Sequence, residues 1–237
     1  MRVYVEVAVF TVHDRRLEVL LGRTPGGTWR LPSGDASGGA DLGDSAREAV
    51  QATAGIRDIA MEQLYTFDRA DGAAAVAYLA LIDSGRHPLA PGADVVEVRW
   101  FPHDDLPALS PGQGDVLQYG LSRLRAKTAY APVAVGLLPE LFTLGEMQAV
   151  YEVLLGRPLD ARNFRRDVLA AGVVEESGGV RGEGRGRPAR LYRSAGGHFA
   201  VDARERRAAR VISSGDDSPA SGDDPPSAGA ARRRASW

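Results

Sequence analysis

Residues 34–56, GDASGGADLGDSAREAVQATAGI, set two glycines 21 positions apart around a polar loop and one helix-forming run. Asp44 or Ser45 can open the helix and Gly55 can stop it, which predicts a helix over residues 43–54. Outward from this stretch the pattern turns strand-like. Residues 3–10 and 17–21 read as strands flanking a turn at His13-Asp14-Arg15-Arg16, and residues 74–82 and 95–101 read the same way. Strands surrounding a helix make a mixed α/β domain. Its close is a second helix over residues 115–127, with Leu117, Leu121 and Leu124 at i, i+4 and i+7.

Bulk composition narrows the function classes. The 237 residues are 44% hydrophobic and 25% charged, enough for a sizeable core, and leave room for two ordinary domains. Net charge is only -2, so nucleic-acid affinity requires local clustering of cations. With 0 Cys, disulfides, zinc ribbons and Cys nucleophiles are excluded, and a reducing cytoplasm is the expected location. The first apolar run carries Glu6 and lacks the layout of a signal peptide. No uninterrupted apolar stretch approaches the roughly 20 residues that cross a bilayer, so no membrane partner is expected. Lys127 is the only lysine.

From about residue 130 the periodicity is helical. Thr143-Leu144-Gly145-Glu146 reads as a capping box, and Gly156-Arg157-Pro158 stops the helix at about Leu155. Asp160 can cap a third helix over residues 161–171, ended by Gly172. Extended runs at 173–176 and 189–193 follow, joined by a Gly- and Arg-rich loop over 177–188. Helix, turn, helix and hairpin make an α+β winged helix-turn-helix. The expected organisation is an α/β domain at 1–127, the winged helix-turn-helix at 128–203, and a tail at 204–237 too polar to fold.

Residues 34–56 and the lead-in Gly26-Gly27-Thr28-Trp29-Arg30-Leu31-Pro32 resemble the Nudix hydrolases, whose box is Gly-x5-Glu-x7-Arg-Glu-U-x-Glu-Glu-x-Gly-U with U apolar. Leu31-Pro32, Gly34, Val50 and Gly55-Ile56 fit that frame. The chemistry does not. Family glutamates at i, i+3 and i+4 hold the divalent ions that activate water, and those positions are Ala49, Ala52 and Thr53. Ala40 replaces the loop glutamate and Glu48 stands where the arginine belongs. A slip of one residue aligns Arg47-Glu48 but leaves Gln51 and Ala52 in acidic positions. No catalytic residue and no metal site is therefore expected.

On the helix at 161–171, Ala161, Phe164, Val168 and Ala171 form an apolar stripe. Arg162, Asn163 and Arg166 lie opposite, with Arg165 at the flank. Arg matches guanine O6/N7 and Asn matches adenine N6/N7, so this face suits a major groove. The next loop sets Arg181, Arg185 and Arg187 among glycines, and Arg185-Gly186-Arg187-Pro188 is similar to the core of an AT-hook. Nine arginines stand against Asp160, Asp167, Glu175, Glu176 and Glu183 between Arg157 and Arg193. Arg232-Arg233-Arg234 reads as part of a solvated tail.

Residues 124–193 resemble the Nudix-related transcriptional regulators of NAD metabolism, the NrtR family. The likeness runs through Leu155-Gly156-Arg157-Pro158-Leu159-Asp160, Arg162-Asn163-Phe164-Arg165-Arg166 and Gly186-Arg187-Pro188-Ala189-Arg190-Leu191-Tyr192. The resemblance implies a homodimeric repressor of NAD biosynthesis or salvage genes on double-stranded palindromic operator DNA. It implies release by ADP-ribose or a related nucleotide effector, with no further cofactor. Arg23 and Arg30 are candidates for the effector's diphosphate, Trp29 and Phe67 for stacking, and Tyr78 for the cleft wall. Each aromatic reads equally well as core, and Arg23 as a strand-end charge. The chain departs from the family pattern over residues 67–75, where Asp68-Arg69-Ala70-Asp71-Gly72-Ala73-Ala74 is a short loop. Lys127, at the junction, is a candidate phosphate contact. Two other readings stand: a working Nudix pyrophosphohydrolase taking remote ligands from Glu62, Asp94 or Glu97, and a nucleotide-binding module whose basic wing meets protein or RNA.

Overall fold

Val5, Val7 and Val9 alternate with Ala8 and Phe10 along the first strand, and all five are fully buried. Successive strand residues face opposite ways, so this strand must be covered on both sides. In the computed structural model, which describes residues 2–128, 133–182 and 188–196, it is. Strand β1 (Val3–His13) pairs in parallel with β6 (Ala74–Leu81). Its other edge is shared between β4 (Ser33–Asp35) near the start and β2 (Arg16–Arg23) near the end. Strands β3 (Trp29–Arg30) and β7 (Glu97–Pro102) extend the sheet beyond β2, and β5 (Met61–Asp68) lies outside β6. Helix α1 (Leu42–Ala54) covers the valine face of β1 and α2 (Gln113–Thr128) covers the Phe10 face.

Local chemistry explains where the elements end. Asp14 and Arg15 both take positive φ, 45° and 59°, in the two-residue turn that suits the right-handed twist of a hairpin. The first strand therefore runs on to His13, beyond the predicted residue 10. The cap of α1 is Asp41, whose carboxylate accepts from the Gly43 and Asp44 amides, and not Asp44 or Ser45. Strand β5 gave no alternating signal in the sequence because it is a half-exposed edge with an irregular register between Gln63 and Thr66.

The C-terminal part begins with a 3-10 turn at Val133–Leu137 and continues through α3 (Leu144–Leu155) and α4 (Ala161–Ala171). A hairpin of β8 (Val174–Arg181) and β9 (Ala189–Ser194) follows. Phe142 exchanges both backbone hydrogen bonds with Tyr192, an isolated antiparallel bridge that ties the segment before α3 to the hairpin. The predicted capping box is present: Thr143 Oγ1 accepts from the Glu146 amide and the Glu146 carboxylate from the Thr143 amide. The wing strand β8 is longer than the predicted 173–176. Residues 204–237, predicted to be an unfolded tail, lie outside the described residues, as do Arg185 and Arg187.

One core cluster lies wholly in the N-terminal part, under α1, and the other is shared by the two parts. Phe10, Leu79, Leu117, Leu121 and Leu124 join Val133, Leu137, Phe142, Met147, Tyr151, Phe164 and Val168 in one apolar cluster. The boundary expected at residue 127 thus crosses a continuous interior. Among the described residues, no helix is long and apolar enough to cross a membrane.

Candidate functional site

The face of α1 that carries glutamates in a Nudix hydrolase is closed here. Ala49 and Thr53 are buried. Thr53 is hemmed in by β2: a Cβ built on Gly22 would meet the Thr53 methyl at 2.7 Å. The loop at 90–95 seals the end of the helix, with the Ala90 and Gly92 amides donating to the Ala54 and Thr53 carbonyls at 3.0 and 3.4 Å. That approach demands glycine, because a Cβ on Gly92 would lie 1.8 Å from the Ala52 carbonyl oxygen. Ala40, Glu48 and Gln51 are exposed and supply no converging acids. The remote carboxylates are engaged elsewhere: Glu62 with Arg123 and Lys127, Glu97 with Arg23 and Arg99, and Asp94 facing Arg30. Among the described residues no three His, Asp or Glu gather where they could hold a metal ion. These donors do not fit a Nudix magnesium centre.

Two adjoining cavities open instead at the start of β1. One, of about 500 Å³, is lined by Phe67, Asp68, Ala75, Pro111, Gly112 and Val116. The other, of about 620 Å³, is lined by Tyr4, Thr24, Arg30, Ser33, Asp94 and Gln113. Arg69 and Ser110 belong to both. Arg69 lies over the Tyr4 ring, 4.7 Å from its centre, and donates to Glu6 at 2.5 Å. Burial pushes the Glu6 carboxyl above its ordinary range, and Arg69 and Gln113 pull it back. Arg30 donates to Ser33 at 3.1 Å. The Nε atoms of both Arg30 and Arg69 are buried without a hydrogen-bond partner.

Of the five predicted ligand residues, Arg30 and Phe67 line these neighbouring cavities. Three are placed otherwise. Arg23 is paired with Glu97 at 2.6 Å. Trp29 packs edge-on against Phe101 at 4.7 Å. Tyr78 is buried with Val76 and Ala80 in the cluster under α1, where desolvation raises its phenol above the ordinary range. Sequence reading missed Tyr4, Arg69 and Gln113. The one visible signal was Glu6, a carboxylate inside an apolar strand.

Helix α4 is set for presentation. Asp160 caps it, accepting from the Asn163 amide at 2.8 Å, and Gly172 ends it at φ 65°. Only Phe164 and Val168 are buried, Phe164 packing edge-on against Tyr151 of α3 at 5.5 Å. Ala161, predicted as part of the apolar stripe, is exposed. Arg162, Arg165 and Arg166 are exposed and Asn163 is half-buried. Arg162 and Arg165 have no ion pair among the described residues, whereas Arg166 donates to Asp167 at 2.9 Å. The turn before α4 is tied by Glu152, which accepts from the Leu159 amide, Gln148 and Arg15 at 3.0, 3.0 and 2.7 Å. Arg15 comes from the β1–β2 turn, so the N-terminal part grips the helix-turn-helix directly.

Two expected DNA contacts are occupied otherwise. Lys127 is buried and ion-paired with Glu62, which takes its ammonium out of solvent. Arg181 donates to Glu146 at 2.5 Å and to the Leu141 carbonyl at 3.0 Å, bracing the start of α3.

Comparison with known proteins bears on both parts. Residues 134–194 match the NrtR DNA-binding winged helix domain. Over 210 residues the chain is 30% identical to the ADPR responsive transcriptional repressor NtrR of Acinetobacter baylyi, covering 81% of each protein. The crystal structure of Shewanella oneidensis NrtR with a 27mer DNA superposes with a TM-score of 0.72 at 33% identity, over 81% of this chain and 93% of that one. A MutT/nudix family protein from Enterococcus faecalis shares the fold, with a TM-score of 0.68 at 23% identity over 81% of this chain and 86% of its own.

Proposed function

This chain belongs to the NrtR family, and on that premise we propose that it is a transcriptional repressor whose N-terminal Nudix domain senses ADP-ribose or a related nucleotide. The observation that carries the reading is the outer face of α4. Four polar side chains, Arg162, Asn163, Arg165 and Arg166, stand on a helix anchored only by Phe164 and Val168. They have the donor chemistry for base edges in a major groove. Its relatives fit: one is an ADPR responsive repressor and another was crystallised with duplex DNA.

The finer reading is a cytoplasmic homodimer on a palindromic operator, repressing genes of NAD biosynthesis or salvage. Two copies of α4 would enter major grooves one turn or a multiple apart. The wing arginines Arg185 and Arg187 are placed in the adjacent minor groove on this reading. The Nudix domain binds and does not hydrolyse, since Ala49, Ala52 and Thr53 supply no carboxylate for a metal. The closed face of α1 supports this over the pyrophosphohydrolase reading.

The test is fluorescence anisotropy of the full chain on duplex from the gene's own upstream region and on shuffled duplex, with and without ADP-ribose. A preference for the upstream duplex that ADP-ribose weakens is expected. Coupling is reciprocal, so operator DNA must weaken ADP-ribose binding by the same factor. Equal affinity for both duplexes sinks the repressor reading, and magnesium-dependent turnover of ADP-ribose sinks the sensor.

A further inference from the structure

We propose that Glu152 positions the recognition helix for base reading, and that Arg15, reaching across from the N-terminal part, sets Glu152 in place. This rests on the DNA-reading assignment of α4 and adds two residues that touch no base. The turn of residues 156–159 between α3 and α4 is held at its last residue. The Leu159 amide donates to Glu152 at 3.0 Å, and the Leu159 carbonyl accepts from the Gln148 side chain at 3.0 Å. Gln148 also donates to Glu152 at 3.0 Å, so two side chains one turn apart on α3 close a ring on the Leu159 backbone. Asp160 follows at once and caps α4, and Arg162 and Asn163 lie in the first turn after it. The line on which those two side chains leave the helix is therefore set through Leu159. A polar recognition contact tolerates only about 0.5 Å and roughly 20° of error, so the hold on Leu159 bears on which bases are read.

Arg15 is not the residue its backbone favours. It sits at φ 59° beside Asp14 at φ 45°, in the two-residue turn that joins β1 to β2. Glycine takes such backbone without strain, and an Asp-Gly pair is a preferred one for this turn. The side chain gives the arginine its reason: its Nη2 donates to the Glu152 carboxylate at 2.7 Å. An open cleft of about 450 Å³ lies beside the contact, lined from both parts by Arg16, His103, Val153 and Pro158, and the ion pair ties its two walls. The foot of the turn is itself fixed, the His103 amide donating to the Leu17 carbonyl at 3.0 Å. With the Arg15 side chain 68% exposed, the pair stabilises little and shifts an equilibrium by about twofold to fivefold. Its effect is on where Glu152 points.

The experiment is fluorescence anisotropy of the full chain and its variants on upstream and shuffled duplex, beside a melting curve of each. Glu152→Ala should lower the preference for upstream duplex about tenfold, the size of one lost base contact. Affinity for shuffled duplex should hold, because phosphate contacts carry no sequence information. Glu152→Gln keeps an acceptor for the Leu159 amide and loses only the charge that holds Arg15, so preference should fall about twofold to fivefold. Arg15→Gly should lower it by the same factor yet melt within a few degrees of the unmodified chain, since glycine relaxes the turn. Combining Arg15→Gly with Glu152→Gln should be no worse than either alone, both breaking one contact. Full preference in Glu152→Ala or in Arg15→Gly overturns the proposal. So does a loss that falls equally on both duplexes, or losses that add in the double variant. An unmodified chain with no preference is a separate failure, that of the repressor reading, and takes this proposal with it.

Discussion

Helices α1 and α4 are built from the same local code and put to opposite uses. Each opens on an aspartate cap, Asp41 or Asp160, and each closes on a left-handed glycine, Gly55 at φ 71° or Gly172 at φ 65°. Helix α1 buries six residues, all small except Val50, and gives the sheet a tight lid. Helix α4 buries two, Phe164 and Val168, and rests on its neighbours through that pair. Caps fix where a helix begins and ends but not which side meets solvent. On the proposed reading, α1 gives up metal binding where small side chains pack closely, and α4 reads DNA where little of it is packed away.

That contrast can be broken most directly at α4. Substituting both Arg162→Ala and Arg166→Ala should weaken operator binding roughly 30-fold to 25,000-fold, each removing about 1–3 kcal/mol of base contact. Anisotropy at fixed salt measures it, and an unchanged affinity would make the face ordinary solvated surface. The reverse change belongs on α1. Thr53→Glu restores a family carboxylate, yet it should cost about 3 kcal/mol of stability and give no hydrolysis, because position 53 is sealed by Val95 and β2. Denaturant melts and a phosphate-release assay decide; gained turnover with unaltered stability would reopen the catalytic reading.

Smaller effects sharpen the boundary between the helices. Lys127→Ala should cost about 1–3 kcal/mol by stranding part of the Glu62 charge, while operator affinity stays put. Loss of DNA binding without loss of stability would restore Lys127 as a contact. The Leu159 amide, then Gln148 and Arg15, hold Glu152 below its ordinary range. Its folded value is depressed, so its contribution is complete above the ordinary carboxylate range and disappears as pH falls through the lowered value. Glu152→Gln should flatten that acid limb in stability measured from roughly pH 6 to pH 3.

What the sequence revealed follows the range of each interaction. The capping box at Thr143, the cap at Asp160 and the turn at His13 depend on residues a few positions apart, and all could be read directly. The empty acidic positions of α1 were equally plain. Long-range partners were not. Glu62, which consumes Lys127, is 65 positions away, and Glu146, which binds Arg181, is 35 away. Cation identity alone therefore suggested DNA contacts where the fold spends the charge internally. Arg69 escaped notice for the same reason, since its meaning comes from Glu6 across 63 positions. Tyr78 looked available because strand alternation does not say which face lies under a helix.

The unbroken apolar interior from Phe10 to Val168 has a thermodynamic consequence. Chain segments that share one core melt together, so heating should give a single sharp transition and not two. A small molecule that grips the N-terminal cavities then protects residues it never touches, lifting the melting of the recognition helix along with its own pocket. Cutting the chain between α2 and α3 would leave a raw greasy surface on each fragment, and neither piece should stay in solution alone.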